Sequence, residues 1–197
     1  MQIDILNYFC AKLLQMKFNT SVLVAFILLV VVASFCRVAG YAPQLAMAVF
    51  AGAIIKDKRL AFVLPLISMF FSDLLYQVLF VYGYTDYGGF YEGQLINYML
   101  IASLTFIGFW VKGINLTRVA IGSVAAPLMF FFLSNFFVWM GSGGLGRPHT
   151  FSGLIMCYND AVPFFRASLL NTIAFSAILF GGYYLIDRFF VARKQLA

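Results

Sequence analysis

With 197 residues, 63% of them hydrophobic and only 10% charged, at a mean hydropathy of +0.95, the chain is far from the makeup of a soluble domain, about a quarter of which is charged. It reads as an integral membrane protein, and at roughly 20 residues per crossing five or six spans leave no room for a separate soluble domain. The formal charge of +6 suggests no nucleic-acid surface, because in a membrane chain the placement of Lys and Arg is more informative than their sum.

Met1 to Thr20 is mixed in character and is expected to lie as an amphipathic segment on the cytoplasmic surface, with Lys12 and Lys17 at the headgroups. The apolar run that follows is read as a retained first helix, not a signal peptide. Arg37 comes directly after it, and the Phe35-Cys36 junction lacks the small residue a cleavage site needs. Helix one is expected over about 21–35 and helix two over about 42–55, with a tight turn at Arg37 to Tyr41 between them. Both are short for a bilayer crossing, so tilt or local thinning is expected.

The basic run Lys56-Asp57-Lys58-Arg59 leads into a third span, about 60–82, that carries a single carboxylate, Asp73. A charge within a span is expensive and tends to face the protein interior at a ligand or ion site. Tyr76 and Gln77, three and four residues on, share its helical face. Residues 83–93 form a Gly- and Tyr-rich outer loop with only acidic charges. Helix four is expected over about 94–111 and helix five over about 119–140. The connection 141–166, opening at Gly141-Ser142-Gly143-Gly144, is expected to be a lid or binding loop. Helix six, about 167–186, closes a transmembrane domain spanning 21–187, and 188–197 is a basic cytoplasmic tail.

With both termini cytoplasmic, this six-helix bundle places ten Lys and Arg inside and three outside (Arg37, Arg147 and Arg166), as the positive-inside rule asks. At 1.5 Å per residue Asp73 then lies about 20 Å from the inner end of its helix, and Asn135 about 24 Å along helix five with Trp139 one turn further. Asn97 falls in the first turn of helix four, Asn171 in the second of helix six, and Arg37 ends helix one on the same side. The polar residues thus converge on the outer half. A channel or proton pump needs polar groups through the full thickness, whereas a one-sided pocket of Arg37, Asp73, Tyr76, Gln77, Asn97, Asn135, Trp139 and Asn171 suits capture of a small, polar or aromatic solute.

Each residue also has a plainer role. Asp73 could pair with Arg37 to hold helices one and three together, and the three asparagines could be interhelical glue. Small-residue pairs Ser21/Ala25, Ala48/Gly52 and Gly122/Ala126 allow close helix contact within the bundle or with another subunit. Cys10, Cys36 and Cys157 have no metal-ligand spacing, and His149, the only histidine, belongs to a loop, so neither a metal nor another cofactor is expected. A Cys36–Cys157 disulfide is left open. No nucleophile elbow, zinc motif or Ser/His pairing suggests an enzyme.

Several stretches resemble a known group. Arg37-Val38-Ala39-Gly40-Tyr41-Ala42-Pro43, Ala61-Phe62 with Pro65-Leu66 and Met69-Phe70-Phe71-Ser72-Asp73, Ser134-Asn135-Phe136-Phe137-Val138-Trp139, and Gly153-Leu154 with Cys157-Tyr158 and Pro163-Phe164-Phe165 are similar to a family of uncharacterised bacterial membrane proteins described as transporters. That family has been compared to S components of energy-coupling factor (ECF) importers. The resemblance implies a substrate-binding subunit of the bacterial cytoplasmic membrane for a vitamin- or micronutrient-like molecule. Such a subunit has no ATPase activity and docks on a transmembrane coupling subunit driven by cytoplasmic ATPases, with Ser21 and Ala25 where the docking surface would fall. The chain has no phosphate-cradling GxxxxGK[ST] of its own. The alternative is a structural or assembly subunit of a larger membrane complex.

Overall fold

The computed structural model of the chain describes residues 20–195 and, within them, the side chains of 27–141 and 146–188. Residues 1–19 of the expected amphipathic segment, the side chains of Ser21 and Ala25 expected at a docking surface, and the tail side chains beyond Arg188 lie outside this part. Six helices follow one another, with no strand among the described residues: α1 (Thr20–Val38), α2 (Gln44–Ile54), α3 (Lys58–Val81), α4 (Gln94–Val111), α5 (Leu116–Gly146) and α6 (Phe151–Gln195). Helices are what such apolar runs must form in lipid, where every backbone N–H and C=O has to be satisfied within the segment.

Four of these helices are long and apolar enough to cross a membrane: α3, α4, Leu116–Gly141 of α5 and Phe151–Arg188 of α6. Their outward surfaces carry large apolar side chains, with Phe71 51%, Phe106 62%, Phe164 76% and Leu170 67% exposed, which suits contact with acyl chains and not with water. The chain is built as a multi-pass membrane protein.

Helix α2 departs from the expectation of a tilted span. Its 11 residues cover about 16 Å, half of a hydrocarbon core of about 30 Å, and Gln44 to Val49, Ala51 and Gly52 are all buried. It is the central post of the bundle, packed against α3, α4, α5 and α6. Leu45, Ala48 and Val49 join Met69 of α3 and Ile101 and Leu104 of α4 in one core cluster, while Met47 and Ala51 join Val30 and Ala33 of α1 and Ala61 and Leu64 of α3 in another. The turn into α2 uses Gly40 at φ +88°, a left-handed conformation that glycine adopts at little cost.

The contact between α2 and α4 is backbone against backbone. A Cβ on Gly52 would lie 2.3 Å from the Thr105 carbonyl oxygen, and one on Gly108 would lie 2.3 Å from that of Val49. The Ala48/Gly52 pair thus works inside the bundle, and so does Gly122/Ala126, since a Cβ on Gly122 would press Val111 Cγ2 at 2.8 Å. The Gly113 N–H donates to the Ala53 carbonyl at 3.0 Å, joining the α4–α5 turn to the end of α2. This end of the bundle bears Lys56, Lys58, Arg59, Lys112 and Arg118; the opposite end bears the 82–93 loop.

The expected lid over 141–166 is instead mostly helix. α5 continues to Gly146, only 147–150 connect, and α6 starts at Phe151 and runs straight through Pro163. The physical reason is side-chain packing between the two helices. Phe131 meets Phe165 at 4.9 Å between centroids and Tyr158 at 5.6 Å, and Tyr158 Oη donates to the Phe132 carbonyl. Of the glycines in this stretch, Gly146 at φ +79° is the one that ends α5. The tip is tied by Arg147 to Asp160 and by the Trp139 indole N–H donating to the Pro148 carbonyl.

Overpacking a filled contact costs about 1–3 kcal/mol. Gly108→Ala is therefore expected to lower the thermal midpoint of the detergent-purified protein by several degrees. Gly181→Ala, on α6 with nothing within 4 Å of the new Cβ, is expected to leave it unchanged or slightly raised.

Candidate functional site

The site lies where the C-terminal end of α1, the second half of α3 and the first turn of α4 meet under the 82–93 loop. Asp73 is fully buried. Its Oδ1 forms an ion pair with Arg37 Nη1, which also donates to Ser72 Oγ. Its Oδ2 accepts from Gln94 Nε2 and from Tyr98 Oη, each at 2.5 Å. Both carboxylate oxygens are thus engaged by side chains from two other helices, which is what a buried charge requires.

The rest of the chain holds Arg37 in place. Tyr76 Oη donates to the Arg37 carbonyl at 3.1 Å, and the guanidinium carbon sits 5.4 Å from the centre of the Tyr76 ring, within cation–π range. Tyr76 in turn stacks on Tyr87 of the loop, with centroids 5.8 Å apart and planes at 28°.

The loop folds back onto α3. The Gly89 N–H donates to Gln77 Oε1 at 3.2 Å, and the Gly89 carbonyl accepts from Gln94 Nε2 at 3.2 Å. A Cβ on Gly89 would stand 1.7 Å from the Asp73 carbonyl oxygen, so only glycine permits this approach. Beneath the loop remains a cavity of about 130 Å³ bounded by Arg37, Asp73, Tyr76, Tyr87, Gly88, Gly89 and Tyr91. The segment that covers the polar site is 82–93, not 141–166.

Of the residues expected to share one pocket, Arg37, Asp73, Tyr76 and Gln77 come together here. Asn97 is at the rim, where its Nδ2 donates to Tyr91 Oη at 2.6 Å. Asn135 is elsewhere: it lines a separate cavity of about 240 Å³ between α5 and α6 with Pro127, Phe131, Ser134, Phe165 and Ser168, and its Nδ2 donates to the Phe131 carbonyl. Trp139 is at the α5–α6 tip with its ring 5.5 Å from that of His149. Asn171, half-buried on α6, lines neither cavity. Depth along a helix was therefore a poor guide to which helices share a site. Cys36 and Cys157 are separate free thiols.

Ser72, Gln94 and Tyr98 also belong to the site, though none of them is among the pocket residues expected from the sequence. Ser72 adjoins Asp73, and Gln94 and Tyr98, four apart at the start of α4, share one helical face, a pattern that could have pointed to them. Among the described residues no three His, Cys, Asp or Glu side chains gather as metal ligands.

Residues 14–195, which include every element of this architecture, match the model of a family of unknown function, DUF6580. The chain belongs to this family. No curated protein and no solved structure matches it. In this DUF6580 protein the chemistry of the site follows from the geometry around Asp73.

Removing one member of a buried pair leaves an uncompensated charge, at a cost of about 3–5 kcal/mol. Asp73→Asn is expected to destabilise by that order, while the double variant Arg37→Met/Asp73→Leu recovers most of the loss; strictly additive penalties in thermal unfolding would show that the two residues do not act as a pair. Gly89→Ala is expected to lift the loop from α3, raising chymotryptic cleavage within 82–93 several-fold while the melting of the bundle stays within a few degrees.

Proposed function

We propose that this protein is the membrane-embedded solute-binding subunit of an importer, taking up a small molecule from the outer side of a bacterial cytoplasmic membrane. The observation that carries the reading is the cavity against a buried Arg37–Asp73 pair, at one end of the bundle only and covered by a loop that rests on glycine. A buried ion pair beside open space within a membrane bundle is a binding-site hypothesis in its own right. The opposite end bears the basic connections, which in a membrane protein favours the cytoplasmic side.

Transport against a gradient needs an energy source, and the chain carries no phosphate-cradling motif. In an arrangement like that of the ECF S components, a transmembrane coupling subunit and ATPase subunits would supply it, with the Ser21/Ala25 stretch of α1 as a docking surface. Two of the stretches that carry that resemblance, 37–43 and 61–73, end or begin at the ion pair itself.

A second reading, a structural or assembly subunit, is favoured by one specific observation: Asp73 has both oxygens satisfied within the chain. Native mass spectrometry of protein purified gently from its own membranes separates the two. A stoichiometric small molecule that is lost in Tyr87→Ala, a change in the exposed loop, is the result expected of a binding subunit. An empty protein with a fixed partner chain would move the assignment to assembly.

A further inference from the structure

The Arg37–Asp73 cavity presents more than a charge pair, and its chemistry narrows the kind of molecule it takes. Asp73 has little to offer a ligand. Its Oδ1 is held by Arg37 and its Oδ2 by two further donors, Gln94 and Tyr98, so a cationic ligand would have to displace one of these partners. Arg37 is different. Only Nη1 is engaged, with Ser72 and Asp73, and among the described residues Nε and Nη2 have no hydrogen-bond partner. The guanidinium is a planar fork of five N–H donors, so engagement through Nη1 leaves donors for a planar acceptor. Both residues border the cavity, but the Arg37 side chain is 19% exposed and that of Asp73 0%, so the cation is the more accessible of the two charges.

The remaining walls are aromatic and flat. Tyr76 lies under the guanidinium, Tyr87 stacks on Tyr76, and Tyr91 completes the rim under the hydrogen bond from Asn97. Gly88 and Gly89 bring backbone, with no side chain, against α3. The volume of about 130 Å³ sets the size. An apolar cavity of about 150 Å³ takes benzene, so the body of the occupant, apart from the group that meets Arg37, is benzene-sized or smaller, which a full vitamin is not.

On these grounds we propose that the cavity binds a small, planar carboxylate, its oxygens on the unengaged Nε and Nη2 N–H groups of Arg37 and its body against Tyr91 and the edges of the stacked Tyr76 and Tyr87. This rests on the solute-binding reading above and names the substrate class for it. Asp73 is then a positioning residue: it fixes the guanidinium through Nη1, with Gln94 and Tyr98 keeping the carboxylate itself in place. Arg–carboxylate contacts of this kind are charge-assisted and directional, which makes Lys a poor replacement.

The test uses the detergent-purified full chain and a set of probes matched in shape and differing in charge: benzoate, its neutral counterpart benzamide and the cation benzylammonium, with isobutyrate as a smaller acid. Binding is read by isothermal titration calorimetry. The expected result is that benzoate or isobutyrate binds at least tenfold more tightly than benzamide and benzylammonium, and that Arg37→Lys, which keeps the charge, loses at least tenfold in acid affinity. Because Arg37→Lys could also disturb the fold, the comparison of probes on the unaltered protein stands as an independent measurement. Equal or tighter binding of benzamide or benzylammonium would overturn the carboxylate assignment and leave the solute-binding reading intact. So would a native bound metabolite without an acid group. If no probe binds and the protein from native membranes is empty, the solute-binding reading itself fails, and this inference with it.

Discussion

A carboxylate with no exposure to solvent, in a bundle made for lipid, has to be neutralised by its own chain. That constraint organises one end of this protein. Asp73 on α3 requires the guanidinium of Arg37 from the last turn of α1, and its second oxygen requires Gln94 and Tyr98 from the first turns of α4. Three helices are thereby fixed relative to one another at a single point. The loop joining α3 to α4 must then close over them, because Gln94 and Gln77 also bond its backbone at Gly89. Breaking such a pair exposes an uncompensated charge, whereas a buried carboxylate with both oxygens hydrogen-bonded is tolerated, and Asp73 is of this kind.

At the opposite end the controlling constraint is steric. Helices in lipid gain little from burying apolar surface against each other, so they associate through close packing at small residues. Gly52 and Gly108 let α2 and α4 touch along their backbones, and on α5 Gly122 makes room for the side chains of Val111 and Val49 while Ala126 is fully buried. This packing is why an 11-residue helix can be a central post: α2 is too short to span, but it is enclosed by four neighbours. The ion pair and the glycine contact are complementary devices, one directional and polar, the other compact and apolar. Between them they leave the outer surfaces of α5 and α6 free for lipid.

The α5–α6 hairpin carries a different lesson. The glycine run at 141–144 and Pro163 read locally as breakers, and a loop of 26 residues was the natural expectation. In the structure ring packing between Phe131, Tyr158 and Phe165 favours continued helix, and only Gly146 acts as a terminator. Tertiary contacts override local propensity where helical glycine costs about 1 kcal/mol and many aromatic contacts repay it. Asn135 and Trp139, assigned to the Asp73 pocket on depth, move with this hairpin to a cavity and a tip of their own.

Membrane character, helical class and the singular position of Asp73 were determined by the sequence alone, because hydrophobic length and the cost of an intramembrane charge are properties of a segment and need no knowledge of its neighbours. Arg37 and Tyr76 were legible too, one as the nearest available cation on the same side and the other by helical spacing from Asp73. Which helices meet was decided only in three dimensions. Gln94 and Tyr98 joined the site, Asn135, Trp139 and Asn171 fell away from it, and 82–93 took the place of 141–166 as its cover, since depth along a helix says nothing about the direction a side chain faces around it.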